Sequence, residues 1–172
     1  GLLIEWGDPG PMSIEKDAGA IKDKLYAISG LGSTEVLDRA TGQLVPVTKE
    51  NAPHAIDGIN YAPFAAFGGW AGAVNAKLDD KKKQASYDFL SYMNQAAQSN
   101  VDVTLGWTGY NAYRPSQLTS IDGWVKAGFS KELAENYLGA INGALANPNM
   151  ASDFKIPGAN GYSSVVLDRE LA

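Results

Sequence analysis

The sequence predicts an α/β fold, and three observations carry that expectation. Short apolar runs of strand length alternate along the chain with longer stretches of helical periodicity. Leu133, Ala134, Tyr137, Leu138, Ile141, Ala144 and Leu145 recur as one continuous helical face, opened by Ser130 as N-cap and stopped by Asn147-Pro148. The chain has 172 residues, 45% of them hydrophobic and 19% charged, enough for one real core.

In chain order, Leu2-Leu3-Ile4-Glu5-Trp6 reads as a short, largely buried strand, ended by the turn chemistry of Gly7-Asp8-Pro9-Gly10-Pro11. Ile14 to Lys24 is polar and reads as a short helix or loop. Leu25 to Ile28 is a strand that stops at Ser29-Gly30-Leu31-Gly32-Ser33. Glu35–Arg39 and Gln43–Val47 flank Ala40-Thr41-Gly42, a β-hairpin whose glycine supplies the turn. Thr48 to Gly58 is irregular.

Tyr61 to Ala76 then places a strand, the pair Gly68-Gly69, Trp70 and a second short strand before a helix. Paired glycines let another group approach the backbone, and an adjacent indole suits a flat, partly apolar ligand face. A buried strand with a packing kink fits the same residues. Asp79 or Asp80 caps the helix that follows. Ala85, Phe89, Met93 and Ala96 form its apolar stripe, widened by Leu90 and Ala97, and Lys81-Lys82-Lys83 its solvated first turn. Leu105 to Gln117 is a long loop, Ile121, Trp124 and Val125 mark a short helix, and Ile156-Pro157-Gly158 turns into a last helix on Tyr162, Val165, Val166 and Arg169. Leu2-Leu3-Ile4 has only Gly1 before it and the last helix stops at Ala172 without a cap signal, so both ends look cut.

Net charge is −5 and the pI is near 4.8, with no long basic run, so nucleic acid is not an expected partner. With no cysteine, disulfides and thiolate metal sites are excluded. No apolar run is long enough to span a bilayer as a helix. His54 is the single histidine and reads as a surface loop residue, so a Ser-His-Asp site would have to use it. No ligand spacing for a metal, no phosphate-binding loop and no dinucleotide fingerprint is present, and no cofactor is expected.

What the sequence does offer is a set of rings and polar groups at loop and strand ends: Trp6, Asp8, Trp70, Trp107, Tyr110, Asn111, Tyr113, Arg114 and Tyr162. Aromatic faces can stack on the C–H faces of a sugar ring, while Asp, Asn and Arg hydrogen-bond its hydroxyls. Trp6 reads equally as a strand-end core residue and Asp8 as a turn residue.

Ile4-Glu5-Trp6-Gly7-Asp8, then Pro63 to Ala76, then Ala85-Ser86-Tyr87-Asp88-Phe89-Leu90-Ser91-Tyr92-Met93, form an ordered set that resembles the extracellular solute-binding proteins of ABC transporters. The likeness is to their carbohydrate-binding, maltose-binding-protein-like branch. Gly109-Tyr110-Asn111-Ala112-Tyr113-Arg114 is similar to that family's G-x-N-P-Y-R loop, with Ala112 in place of the proline. Ile156 to Tyr162 resembles the segment leading into its late cleft-facing helix.

The resemblance implies a periplasmic-binding-protein-like (type II) two-lobe clamp, of which this chain would be the incomplete C-terminal portion. Residues 1–60 would belong to the second lobe, 61–66 to a hinge strand, 67–110 to the first lobe, and 111–172 would return to the second. The implied function is capture of a sugar or polyol and its delivery to a membrane permease, without catalysis, in a periplasmic or extracellular location, free or lipid-anchored. Trp6 and Trp70 would be ring platforms, Asp8, Asn111 and Arg114 hydroxyl partners. Tyr113 and Tyr162 would line the site, and Gly68 and Gly69 would allow close backbone approach. The missing N-terminal half is an implied partner, because the helix after Asp79 would otherwise show a bare apolar stripe. Two other readings stand beside this one: a carbohydrate-active enzyme with an acidic pair among Glu5, Asp8, Asp122 and Asp153, and a structural lobe that contacts a protein.

Overall fold

A computed structural model describes the chain except for residues 5–6, 17, 64, 67–69, 106–109, 153–156, 159–160, 162–164, 167–168 and 170–172. Two compact units are present, one built from Gly1–Ser29 and Trp70–Leu145, the other from Gly30–Gly69 and Ala146–Ala172. They divide the chain at other places than the lobes implied by the resemblance. Together they make a small mixed chain of short helices and two-stranded sheets.

The first unit is helical. After the single turn α1 (Pro9–Met12) and a 3-10 turn at Gly19–Ile21 come α2 (Asp80–Met93), α3 (Ala96–Asp102), α4 (Pro115–Thr119), α5 (Asp122–Lys126) and α6 (Lys131–Leu145). α6 begins where the sequence places it: the Ser130 hydroxyl oxygen accepts from the Leu133 N–H at 3.1 Å. Leu133, Ala134, Tyr137 and Leu138 are buried, whereas Ile141 is only packed at the margin and Leu145 is exposed, so the expected face is covered over its first two turns. These residues meet Val103, Ala112, Trp124 and Phe129 in one core. Trp124 stands edge-on to Phe129, and it and Tyr137 lie ring to ring at 5.3 Å. Replacing Ser130 with alanine should cost about 1 kcal/mol, the worth of one N-cap, and urea denaturation will read it as a lower midpoint with an unchanged slope.

α2 also starts as expected, with the Asp79 carboxylate accepting from the Lys82 N–H at 2.9 Å. That bond, then the Lys82 side chain, holds the Asp79 carboxyl below its ordinary range. None of the helix's residues is buried, and Tyr87, Phe89 and Tyr92 are exposed. Leu90 and Met93 are half-buried, and a Cβ on Gly72 would lie against the Leu90 methyl groups.

Three expected strands of this unit are not strands, and one of them is the short strand expected after Trp70, where the chain runs to α2 without joining a ladder. Leu2, Leu3 and Ile4 are exposed rather than buried, and no described residue pairs with them. Leu25–Ile28 joins no sheet either. Its main chain is held from the side: the Asn136 amide of α6 accepts from the Ala27 N–H at 2.8 Å and donates to the Ala27 carbonyl at 2.9 Å. An apolar run can lie extended without a ladder when a side chain supplies both bonds.

The second unit is mostly strand and turn. β2 (Glu35–Asp38) and β3 (Gln43–Pro46) form the expected antiparallel hairpin, in register Glu35 to Pro46 through Asp38 to Gln43. Gly42 takes a φ of 71°, and the Asp38 carboxylate accepts from the Ala40 N–H and the Thr41 hydroxyl. β1 (Gly32–Ser33) pairs antiparallel with β4 (Asn60–Tyr61), and β5 (Ala65–Ala66) runs parallel to β6 (Ala151–Ser152). The irregular stretch hides a second hairpin turn. Asp57 and Gly58 have φ of 50° and 77°, and Ile56 and Ile59 exchange both main-chain bonds across them. Asp-Gly between two isoleucines is a strong two-residue turn signal. Apolar burial is sparse here, with Ala52 the buried apolar residue among those described. Amides substitute for it: Asn147 donates to the Ala62 carbonyl and Asn149 to the Tyr61 carbonyl, each at 2.8 Å. The final helix expected from Tyr162 to Arg169 lies largely outside the described residues.

Candidate functional site

Four of the nine candidate ligand-binding residues, Trp6, Gly68, Gly69 and Tyr162, lie outside the described residues, as do Trp107, Glu5 and Asp153. The other five, Asp8, Trp70, Asn111, Tyr113 and Arg114, all fall in the first unit.

The Asp8 carboxylate and the Asn111 side chain each lie near Tyr137. The turn at Gly7 brings main chain against α6, where the Tyr137 hydroxyl donates to the Gly7 carbonyl at 2.9 Å. A Cβ on Gly7 would collide with the Asn111 side-chain oxygen and stand 2.8 Å from the Tyr137 hydroxyl. Gly10 is pressed as closely onto the Tyr137 ring. Both glycines are there for proximity, since neither has a positive φ. Burial raises the Tyr137 phenol far above its ordinary range, and the nearby Asp8 carboxylate adds to the shift. Asp8 and Asn111 are themselves half-buried. A carboxylate and an amide fork so placed can accept from and donate to hydroxyl groups at the rim of a ligand.

The loop carrying Asn111, Tyr113 and Arg114 is shaped by its own sequence. Pro115 opens α4 at its first position, which keeps Arg114 extended at φ −107° and ψ 139°. Gln117 closes the turn by accepting through Oε1 from the N–H groups of Tyr113 (3.1 Å) and Arg114 (3.0 Å). Arg114 is partly committed elsewhere. Its Nη2 donates to the Asn94 carbonyl at 2.6 Å, at the C-terminal cap of α2, and its guanidinium lies 5.3 Å from the centre of the half-exposed Tyr113 ring. A cation at a helix C-terminus is favourable by itself. Its Nε is buried without a hydrogen-bond partner among the described residues.

Trp70 stands apart from these contacts, with 78% of its surface exposed. It is not a core residue. A cavity of about 300 Å³ does exist in this unit, but its walls are mainly apolar, with Leu2, Leu3, Leu25, Ile28 and Leu133 among them, and it shares only Gly7, Gly10 and Tyr137 with the candidate site. It has the lining of a packing defect along α6 rather than of a hydroxyl-binding pocket.

For the acidic-pair reading, Asp122 sits exposed in the first turn of α5. Among the described residues no group of His, Asp or Glu could hold a metal ion. No helix among them is long and apolar enough to cross a membrane. His54 is exposed, as expected of a loop residue.

Three residues of structural weight at this site escaped the sequence reading. Tyr137 was legible as core but not as a donor to Gly7, because periodicity gives a face and no reach. Asn136 looked like a polar position beside that face. Gln117 had a signal: a proline at the first helical position with glutamine two residues on is half of a capping box. Comparisons with family models, with curated proteins and with solved structures found no match for this chain.

Proposed function

We propose that this chain is the C-terminal portion of the substrate-binding component of an ABC importer, a type II two-lobe clamp that captures a sugar or related polar solute. The observation that carries the reading is the bare indole of Trp70, 78% exposed directly after the glycine pair of the resembling motif. A large ring left in solvent beside a close-approach point suits stacking against a sugar face. The half-buried Asp8 and Asn111, each near Tyr137, would supply hydroxyl partners. The uncovered Phe89 and Tyr92 of α2 support the missing N-terminal half as the partner that covers them.

The mechanism is capture without chemistry. Ligand entering between open lobes touches both, so it binds the closed form more tightly and shifts the population toward it. The closed form docks on the membrane permease, in the periplasm or at the outer cell surface, and no cofactor takes part. Residues 61–66, which run from the end of β4 to β5, serve as the hinge.

Calorimetry on the natural full-length polypeptide with maltose, D-glucose and D-sorbitol tests this. Saturable heat from at least one probe is expected, and the absence of heat and of any thermal shift with all three sinks the sugar reading. Trp70→Ala should weaken the best probe by about 1–3 kcal/mol, as for a stacked anchor, with little change in thermal stability because the residue is mostly exposed. Unaltered affinity removes Trp70 from the site.

A further inference from the structure

Gln117 was not among the expected binding residues, yet no other described side chain of the site is used so fully. It is 96% buried, with a relative exposure of 4%. Oε1 accepts from Tyr113 and Arg114. Nε2 donates to the Ser99 hydroxyl at 3.3 Å and the Asn100 amide oxygen at 3.1 Å, both on α3. Its main-chain carbonyl accepts the Trp124 indole N–H at 3.0 Å. One residue thus ties together the loop, α3 and the aromatic core.

The loop needs such a tie. Asn111 to Arg114 belongs to no strand or helix, so its N–H groups have no ladder to join. Ala112 is its one buried apolar anchor, and a methyl group cannot set the direction of the neighbouring side chains. Two adjacent N–H groups gripped by one oxygen fix that direction. We propose that Gln117 is the positioning residue of the ligand site, holding Asn111, Tyr113 and Arg114 in the course that meets a bound solute. This rests on the sugar-binding reading above. Gln117 touches no ligand itself; it acts through the loop, as a supporting shell does for the groups it orients.

Two substitutions separate the parts of the amide. Gln117→Met keeps length and bulk but removes every side-chain bond. Gln117→Glu keeps the acceptor for Tyr113 and Arg114 and loses the two donors to α3. Amide hydrogen exchange by NMR on the natural full-length polypeptide reads the loop directly, with α6 amides as the control for folding. Maltose, D-glucose and D-sorbitol are the binding probes.

In the unmodified protein the Tyr113 and Arg114 amides should exchange slowly. Gln117→Met should speed both at least about tenfold with α6 unchanged, and raise the Kd of the best probe about tenfold, the scale of one or two lost hydrogen bonds. Gln117→Glu should restore slow exchange and most of the affinity. If Gln117→Met also loses α6 protection, Gln117→Glu decides: slow exchange at the two amides with retained binding supports the inference, and fast exchange overturns it. Fast exchange in the unmodified protein overturns the grip itself. Faster exchange in Gln117→Met with unchanged affinity overturns the link to the ligand. If no probe binds the unmodified protein, the sugar reading fails and the ligand role fails with it, whereas slow exchange at Tyr113 and Arg114 would leave the loop lock standing as architecture.

Discussion

Replacing Trp124 with alanine is expected to lower the unfolding free energy by about 3–5 kcal/mol, the range for truncating a large buried aromatic. The side chain is almost wholly buried and meets Phe129 and Tyr137 at 5.3 Å each. Its loss opens a cavity where α5 and α6 pack together. A second cost comes from the indole N–H, whose removal leaves the Gln117 carbonyl unpaired in the interior. Urea denaturation followed by circular dichroism measures the sum. A loss below about 1 kcal/mol, the level of an ordinary surface change, would mean that the aromatic cluster does not organise this unit. Trp124→Phe separates the two terms, since it keeps most of the ring and discards the donor.

The second large effect belongs to Tyr137. Alanine there should also cost about 3–5 kcal/mol, because the ring packs on Trp124 and Phe129 and under Gly10. Phenylalanine should cost only about 1 kcal/mol, the net worth of the hydrogen bond to Gly7. The pH dependence has a definite sign. Burial, with help from Asp8, raises the folded phenol above the ordinary value of 10.0. An acid whose pKa rises on folding keeps its full stabilisation below pH 10.0 and loses it as pH climbs further, because the unfolded chain ionises first. The unmodified protein should therefore weaken above pH 10.0 more steeply than Tyr137→Phe. Parallel alkaline limbs in the two urea series would contradict this.

The sequence was most legible where structure is local. α6 and α2 were readable from a capping residue and a helical period, and the β2–β3 hairpin from its turn glycine. Leu2–Ile4, the described part of the expected Leu2–Trp6 strand, and Leu25–Ile28 depart from expectation for a common reason. An apolar run records a preference for burial or extension and says nothing of what will lie beside it. At Ala27 that neighbour is one amide more than a hundred residues later in the chain. The Asp57-Gly58 turn is written in the sequence without a strand signal beside it, because the isoleucines that flank it are too few to look like strands. For the site, residue types pointed to hydroxyl recognition, whereas the structure shows only that Asp8 and Asn111 each lie near Tyr137. The collision that forces glycine at position 7 and the convergence of bonds on Gln117 are products of tertiary packing, which no spacing rule encodes.

The grip of Asn136 on Ala27 has a consequence for alignment. A ladder of several rungs can slide by two residues and recover nearly all of its bonds, which is how extended segments come to rest in the wrong place. A lone fork seizing one peptide unit has no neighbouring rung to move to. Leu25 to Ile28 is held to α6 by that fork and, one helical turn away, by the Tyr26 hydroxyl, which donates to the Glu132 carboxylate at 3.2 Å, so its seating needs the helix formed across both positions.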